Sequence, residues 1–313
     1  MALRDRIGGA TGAERRPVAG VVAAGASVVV WGATSVLIKQ VHGVSGVAIS
    51  FHRLWIGALL TGAAFLLTGG RYSWRLLRLA LPGGVAFGLD ICLFFTAVKE
   101  TSVANATVIG ALQPVLILAI ARRLFGERPG LVEAFWACVA IAGAAIVVTG
   151  GAADGVASRR GDLLAVAALV AWTWYFVASK RARVELGSFA YLAGLSLVAT
   201  MAVTPVVLVS GERLAVPRPS GWATIVLIAV INGALGHFLM NWAHGHVPIV
   251  ATSLMTLAIP VFATASAAAF IDEPVTAWQV LGMVVVIGAL AVVVFRTSRD
   301  VPAASPVDPL PEP

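Results

Sequence analysis

Charged residues are scarce in this 313-residue chain. They make up 12% of the sequence, whereas about 25% is usual for a soluble domain, and 59% of the residues are hydrophobic. So little charge excludes a water-soluble globular domain of this length. The two cysteines, Cys92 and Cys138, are too few for a disulfide framework and lack the spacing of a metal site. The sequence also has no Gly-rich phosphate loop and no His-Glu-x-x-His motif, so the signatures of an ATP-driven pump and of a zinc enzyme are missing.

Long hydrophobic stretches make up most of the chain. A helix that crosses a membrane needs about 20 apolar residues, and ten stretches meet this requirement. They lie near residues 21–40, 46–68, 78–98, 102–123, 131–150, 161–179, 187–209, 221–243, 248–271 and 275–295. The connections between them are short and leave no room for a soluble catalytic domain. We therefore predict an all-α integral membrane protein with ten transmembrane helices.

The ten stretches form two related halves. One offset aligns Pro114 with Pro260 and Glu127 with Glu273, which indicates an internal duplication. Because each half has an odd number of spans, the second half enters the membrane from the opposite side, so the two five-helix repeats are inverted. The expected organisation is a cytoplasmic N-terminal segment at 1–20, a first repeat at 21–150, a linker at 151–160, a second repeat at 161–295 and a disordered cytoplasmic tail at 296–313.

The basic residues predict the orientation of the chain. The net charge is +7, and with alternating spans most of the Lys and Arg residues fall on the side of the N-terminus. This bias is typical of cytoplasmic loops, so we expect both termini in the cytoplasm and no nucleic-acid partner. The high Ala, Gly, Val and Arg content is typical of a GC-rich bacterium, which predicts a multi-pass protein of the bacterial inner membrane.

Several motifs together resemble a known family. Helix one carries Trp31-Gly32, helix two carries Arg53, and a Pro-Val pair at Pro114 and Pro260 is followed in each half by an acidic-Pro motif. In these features the chain resembles the EamA-type transporters of the drug/metabolite transporter superfamily, which have ten helices in two EamA repeats. The resemblance implies secondary transport of a metabolite and a central cavity lined by helices one, three, four, six, eight and nine.

Two charged residues lie inside predicted spans. Arg53 and Asp90 are expected at nearly the same depth in the outer half of the membrane, since a helix rises 1.5 Å per residue. Because an unpaired charge in the membrane is costly, we predict an intramembrane charged pair. Two interpretations stay open: a substrate or proton site, and a structural clamp between helices two and three.

A second group of candidates lies near the membrane midplane. Transporters built from inverted repeats bind their substrates at this depth, Trp offers an apolar wall with one N–H donor, and Pro frees a backbone carbonyl. Packing between helices is the alternative role for each side chain. The predicted substrate-pathway residues are Trp31, Ser35, Asn105, Gln113, Pro114, Trp172, Tyr175, Asn241 and Pro260.

Glu127 and Glu273 have a structural interpretation. Each precedes a proline at the start of the next helix, where the positive end of the helix dipole favours a carboxylate. We predict that both cap helix ends.

The combined features predict a secondary active transporter of a small metabolite, with an amino acid or a related compound as first choice by resemblance. Export by alternating access around a midplane site is expected. The alternatives are a membrane scaffold or receptor without transport and a membrane-embedded enzyme. We expect no cofactor, no metal and no catalytic residue. Protons are a candidate coupling ion, and both a monomer and a homodimer stay open.

Overall fold

A computed structural model describes residues 16–101, 106, 109–127, 130–150, 158–271 and 274–299. These residues form helices and short connections, and within them no β-strand occurs. The helices are α1 (Pro17–Gln40), α2 (Gly46–Leu67), α3 (Trp74–Glu100), α4 (Gln113–Phe125), α5 (Leu131–Thr149), α6 (Arg159–Ala182), α7 (Ser188–Ser210), α8 (Pro219–His244), α9 (residues 249–271) and α10 (Ala277–Arg299).

The helix lengths confirm an all-α membrane protein. Eight of the helices, all except α4 and α10, are long and apolar enough to cross a membrane. Helix α10 contains a shorter apolar stretch, Ala277–Val293. Helix α4 has 13 residues, and much of the predicted span that precedes it lies outside the described residues. Elsewhere the helices begin and end within four residues of the predicted bounds.

Local chemistry explains where several helices begin and end. The side chains of Ser45, Ser73 and Ser158 each accept a hydrogen bond from a backbone N–H of the first turn of α2, α3 and α6. Such caps replace the helical partner that the first N–H groups of a helix lack. Helices α4 and α7 end at Gly126 and Gly211, which have φ values of 70° and 64°, a conformation that glycine adopts without strain.

The packing pairs equivalent helices of the two repeats. Helix α2, the second of repeat one, packs against α7, the second of repeat two, and α5 packs against α10 in the same way. Contacts between equivalent helices are what a pseudo-two-fold axis between inverted repeats produces. The boundary of the two repeats therefore runs through the centre of the helix bundle.

Two helices of the second repeat are irregular near that centre. Helix α8 is α-helical from Pro219 to Leu227, becomes a π-helix over Ile228–Gly236, and returns to α-helix at His237. Helix α9 contains a 3₁₀ turn, Thr256–Ala258, just before Pro260. In α4 the matching Pro114 lies in the first turn, directly after a turn at Leu112. Both repeats thus interrupt a helix beside the paired prolines, and such interruptions concentrate at functional sites.

Gly32 explains part of the Trp-Gly motif of α1. A Cβ atom at this position would lie 2.5 Å from Cβ of Phe262 and 2.9 Å from the backbone oxygen of Ile259. Only glycine allows α1 and α9 to approach so closely. The contact places the preceding residue, Trp31, at the centre of the bundle.

Candidate functional site

Trp31 of α1 and Trp172 of α6 meet at the boundary of the repeats. Their ring centroids are 6.4 Å apart and the rings are nearly perpendicular, at 72°, which is a favourable edge-to-face geometry. Trp31 Nε1 also donates a hydrogen bond to the backbone oxygen of Asn232 in the π-helical part of α8, at 3.3 Å. The aromatic pair therefore joins equivalent helices of the two halves.

A cavity of about 120 Å³ lies beside the two tryptophans. Its walls are mainly aromatic and aliphatic, with a few charged and polar groups, as is usual for small-molecule sites. Both repeats contribute, through α1, α2, α3, α6, α8, α9 and the segment before α4. The lining residues are Trp31, Ile38, Arg53, Asp90, Ile91, Phe94, Phe95, Gly110, Ala111, Trp172, Asn232, His237, Thr256, Ile259 and Pro260.

Arg53 is almost completely buried, with 2% exposure. One of its terminal nitrogens, Nη2, donates to Oδ1 of Asn232 at 2.6 Å and contacts Nε2 of His237 at 3.1 Å. The rings of Phe87 and Phe95 lie 5.7 and 5.4 Å from the guanidinium carbon, within cation–π range. Helix α8 and two aromatic rings therefore hold this charge.

The structure differs from the predicted pairing of Arg53 and Asp90. In the part of the chain that the structure describes, no ion pair within 4.0 Å joins them. Both nevertheless line the same cavity. The orientation of Arg53 around its helix brings it to α8 instead, and depth alone does not give that orientation.

A chain of buried hydrogen bonds continues from Arg53 into α6. His237 Nδ1 lies 3.0 Å from the Tyr175 hydroxyl, which donates to Oδ1 of Asn241 at 3.3 Å. Because a guanidinium only donates hydrogen bonds, Nε2 of His237 must accept from Arg53, which assigns the ring proton to Nδ1. Nδ1–H then donates to Tyr175, and the tyrosine hydroxyl is free to donate to Asn241. The directions of all the bonds are consistent with a neutral His237.

Arg183 lies near the other end of this chain, just beyond α6. Its Nε donates to the backbone oxygen of Asn241 at 3.0 Å. Burial lowers the pKa of Arg183 to about 10, and the nearby Tyr191 partly opposes the shift. The buried polar network therefore runs from the cavity to the end of α6.

The predicted pathway residues fall into three groups. Trp31, Trp172 and Pro260 line the cavity. Gln113, Pro114, Tyr175 and Asn241 are buried nearby without lining it; Gln113 Oε1 accepts from Thr256 Oγ1 at 3.5 Å. Ser35 belongs to α1, but its side chain lies outside the described part of the structure, as does the whole of Asn105.

Glu127 caps a helix other than the predicted one. Its carboxylate oxygens accept hydrogen bonds from the backbone N–H groups of Ile249 and Val250, at 2.8 and 3.2 Å. These groups start α9 of repeat two, whereas the sequence pointed to α5, the next helix along the chain. Lys180 Nζ lies 3.8 Å from the same carboxylate and also donates to the backbone oxygen of Val247. The cap therefore joins the two repeats. Glu273 lies outside the described residues.

Several cavity residues had no clear signal in the sequence. Thr256 and Phe95 are ordinary constituents of membrane helices, and nothing in their local pattern distinguishes them. Phe94 had a weak signal, since it follows Asp90 by four residues and so shares its helix face. Among the described residues, no group of three or more His, Cys, Asp or Glu side chains could hold a metal ion.

Comparison with known proteins agrees with the fold. The model of the EamA-like transporter family matches residues 18–149 and again 159–295, one match for each repeat. The chain belongs to the EamA-like transporter family. It is a multi-pass membrane transporter.

The individual proteins that match this chain have low sequence identity with it. The uncharacterized transporter YyaM of Bacillus subtilis (strain 168) is 25% identical over 206 residues, which cover 64% of this chain and 67% of YyaM. A probable terminal-alkyne amino-acid exporter of Streptantibioticus cattleyicolor is 33% identical over 132 residues, 41% of this chain and 42% of that relative. A solved crystal structure has the same fold, with a TM-score of 0.78 over 91% of this chain and 99% of its own, at 20% identity.

Proposed function

We propose that this EamA transporter is a secondary carrier that exports a small metabolite by alternating access. The observation that carries the proposal is the cavity at the boundary of the two repeats, where Trp31 and Trp172 meet. In carriers of this design one repeat rocks against the other around a midplane site. Because the site is built from both repeats, a movement of one repeat against the other changes which side of the membrane can reach the site.

An amino acid or a related compound is the proposed substrate. A relative that matches part of the chain is named a probable amino-acid exporter. The cavity here supports the same class, because it combines aromatic walls with the charged residues Arg53 and Asp90. The proposed location is the bacterial inner membrane, with both termini in the cytoplasm, as the distribution of basic residues predicts.

The contact made by Glu127 supports alternation. In the proposed orientation, Glu127, Lys180 and the start of α9 all lie at the cytoplasmic side of the bundle. The carboxylate of repeat one binds the N–H groups of Ile249 and Val250 in repeat two, so this end cannot open while the contact persists. We propose that it is an inner gate, which breaks when the cavity opens to the cytoplasm.

The test of the proposed function is transport by purified protein in proteoliposomes. A panel of labelled amino acids and other metabolites is offered to wild type and to the double variant Trp31→Ala/Trp172→Ala. Saturable flux in wild type and its loss in the double variant are expected, because both walls of the cavity disappear. Flux that survives in the double variant would place the site elsewhere.

A matched control replaces two tryptophans outside the cavity. Trp174 of α6 and Trp278 of α10 are 49% and 66% exposed on the surface of the bundle, so Trp174→Ala/Trp278→Ala should keep wild-type flux. If folded wild type moves no compound of the panel, the scaffold or receptor alternative is favoured. Turnover of a compound without its movement would favour the enzyme.

A further inference from the structure

Asp90 lies at the wall of the cavity without a direct bonding partner among the described residues. The residue is 8% exposed, it lines the cavity, and no described residue donates a hydrogen bond to it or forms an ion pair with it. Ionisable groups inside a membrane are costly and usually pair with another group. The missing partner of Asp90 is therefore expected to come from the cavity.

Arg53 supplies an opposite charge at the same cavity, held apart from Asp90. Its Nη2 is engaged by Asn232 and His237, and among the described residues its Nε and Nη1 have no hydrogen-bond partner. The contacts that Arg53 does make are to neutral groups, so none of the described residues forms an ion pair with it. The cavity thus has a negative and a positive region that do not neutralise each other directly.

A solute with two opposite charges fits this arrangement best. A simple amine would be attracted by Asp90 but repelled by Arg53. A simple acid would be attracted by Arg53 but repelled by Asp90. A zwitterion gains from both charges and leaves the net charge of the cavity unchanged. In a cavity closed to water such interactions are stronger than in bulk solvent.

We infer that Asp90 binds the ammonium group of the transported solute, with the solute's carboxylate directed towards Arg53. This inference rests on the proposed function and specifies which residues select the substrate. The aromatic pair, Trp31 and Trp172, then contacts the apolar part of the solute. Asp90 is a binding residue in this assignment, rather than a clamp for α2 and α3.

The experiment measures binding to purified protein by titration calorimetry. Three matched probes separate the two charges: L-leucine has both, isopentylamine lacks the carboxylate, and N-acetyl-L-leucine lacks the ammonium group. Wild type should bind L-leucine most tightly. Asp90→Asn should weaken L-leucine binding by about 30-fold or more, the usual effect of removing one partner of a buried charge pair, and should not weaken binding of N-acetyl-L-leucine.

The control removes a carboxylate outside the cavity. Asp162 at the start of α6 accepts a hydrogen bond from Thr101 at 2.7 Å, and Asp162→Asn should bind L-leucine like wild type. Unchanged binding of N-acetyl-L-leucine shows that Asp90→Asn is folded, and Asp90→Glu, which keeps the charge, should recover part of the affinity for L-leucine. Equal affinity of wild type and Asp90→Asn for L-leucine would overturn the inference, as would failure of wild type to bind any amine probe.

Transport measurements distinguish this inference from the proposed function. If wild type moves solutes in proteoliposomes and Asp90→Asn binds and moves them equally well, the carrier stands and the ammonium site is wrong. If wild type binds L-leucine through Asp90 but moves no solute, the site stands and the proposed transport is wrong.

Discussion

Glu127→Gln tests the proposed inner gate. In wild type the carboxylate accepts two backbone N–H groups at the start of α9, at 2.8 and 3.2 Å, and Lys180 lies 3.8 Å away. Glutamine has almost the same shape, but only one of its two terminal atoms accepts hydrogen bonds and it has no charge. The variant therefore loses one charge-assisted bond and the attraction to the helix dipole.

The expected loss is about 1–3 kcal/mol in the closed state of this end. If the contact is broken in the open state, the whole amount shifts the equilibrium, by about 5- to 150-fold towards opening to the cytoplasm. A structural cap that persists in both states would instead lower stability without changing the equilibrium. A gate therefore changes the equilibrium between the two states, whereas a structural cap changes only the stability of the protein.

The assay follows the labelling of a single cysteine in the cavity. Ala111, which lines the cavity, is changed to Cys in a background with Cys92→Ala and Cys138→Ser, and an impermeant thiol reagent is applied from the cytoplasmic side. Glu127→Gln should increase the labelling rate, by up to the 5- to about 150-fold shift of the equilibrium given above.

Ser73→Ala is the control, since Ser73 caps α3 at the same end of the bundle but, among the described residues, its side chain binds Leu76 of its own repeat. It removes one cap bond without affecting contacts between repeats. Equal labelling rates in wild type and Glu127→Gln would refute the gate.

Two further substitutions test the interior of the site. Tyr175→Phe removes the acceptor for Nδ1–H of His237, so the free energy of unfolding should fall by about 1–3 kcal/mol; unchanged stability in denaturant titrations would contradict a stabilising role for this hydrogen bond. Gly236→Ala would place a Cβ atom 2.5 Å from Nε1 of Trp31, so it should lower flux by displacing that ring. Gly57→Ala, which meets no atom within 4 Å, should leave flux unchanged, and equal flux in the two variants would exclude this steric effect.

The sequence predicted what depends on the length and order of apolar segments. The span 46–68 corresponds to α2 at Gly46–Leu67. Trp31 and Trp172, which lie about ten residues into the first predicted span of each repeat, are in contact. The depth argument also brought Arg53 and Asp90 to one cavity. Each of these inferences uses only distance along a helix axis.

The features that were missed depend on rotation around a helix or on contacts between distant segments. The π-helical part of α8 contains no proline or other residue that predicts it, yet it includes Asn232, which binds Arg53. Sequence order predicts that Glu127 caps α5, the next helix, whereas the N–H groups that it binds belong to the other repeat. Such a choice between two helix ends is decided by the packing of the repeats.

The duplication repeats the central tryptophans, Trp31 and Trp172, but not the charges of the cavity. The offset that aligns Ala97 with Ala243 aligns Asp90 with Gly236. An aspartate at position 236 is sterically excluded, because even a Cβ atom there would overlap Trp31. A symmetric cavity with a carboxylate on each side is therefore incompatible with the central aromatic pair. Asp90 and Arg53 line the cavity as one acidic and one basic side chain, an asymmetry that fits the oriented zwitterion proposed above.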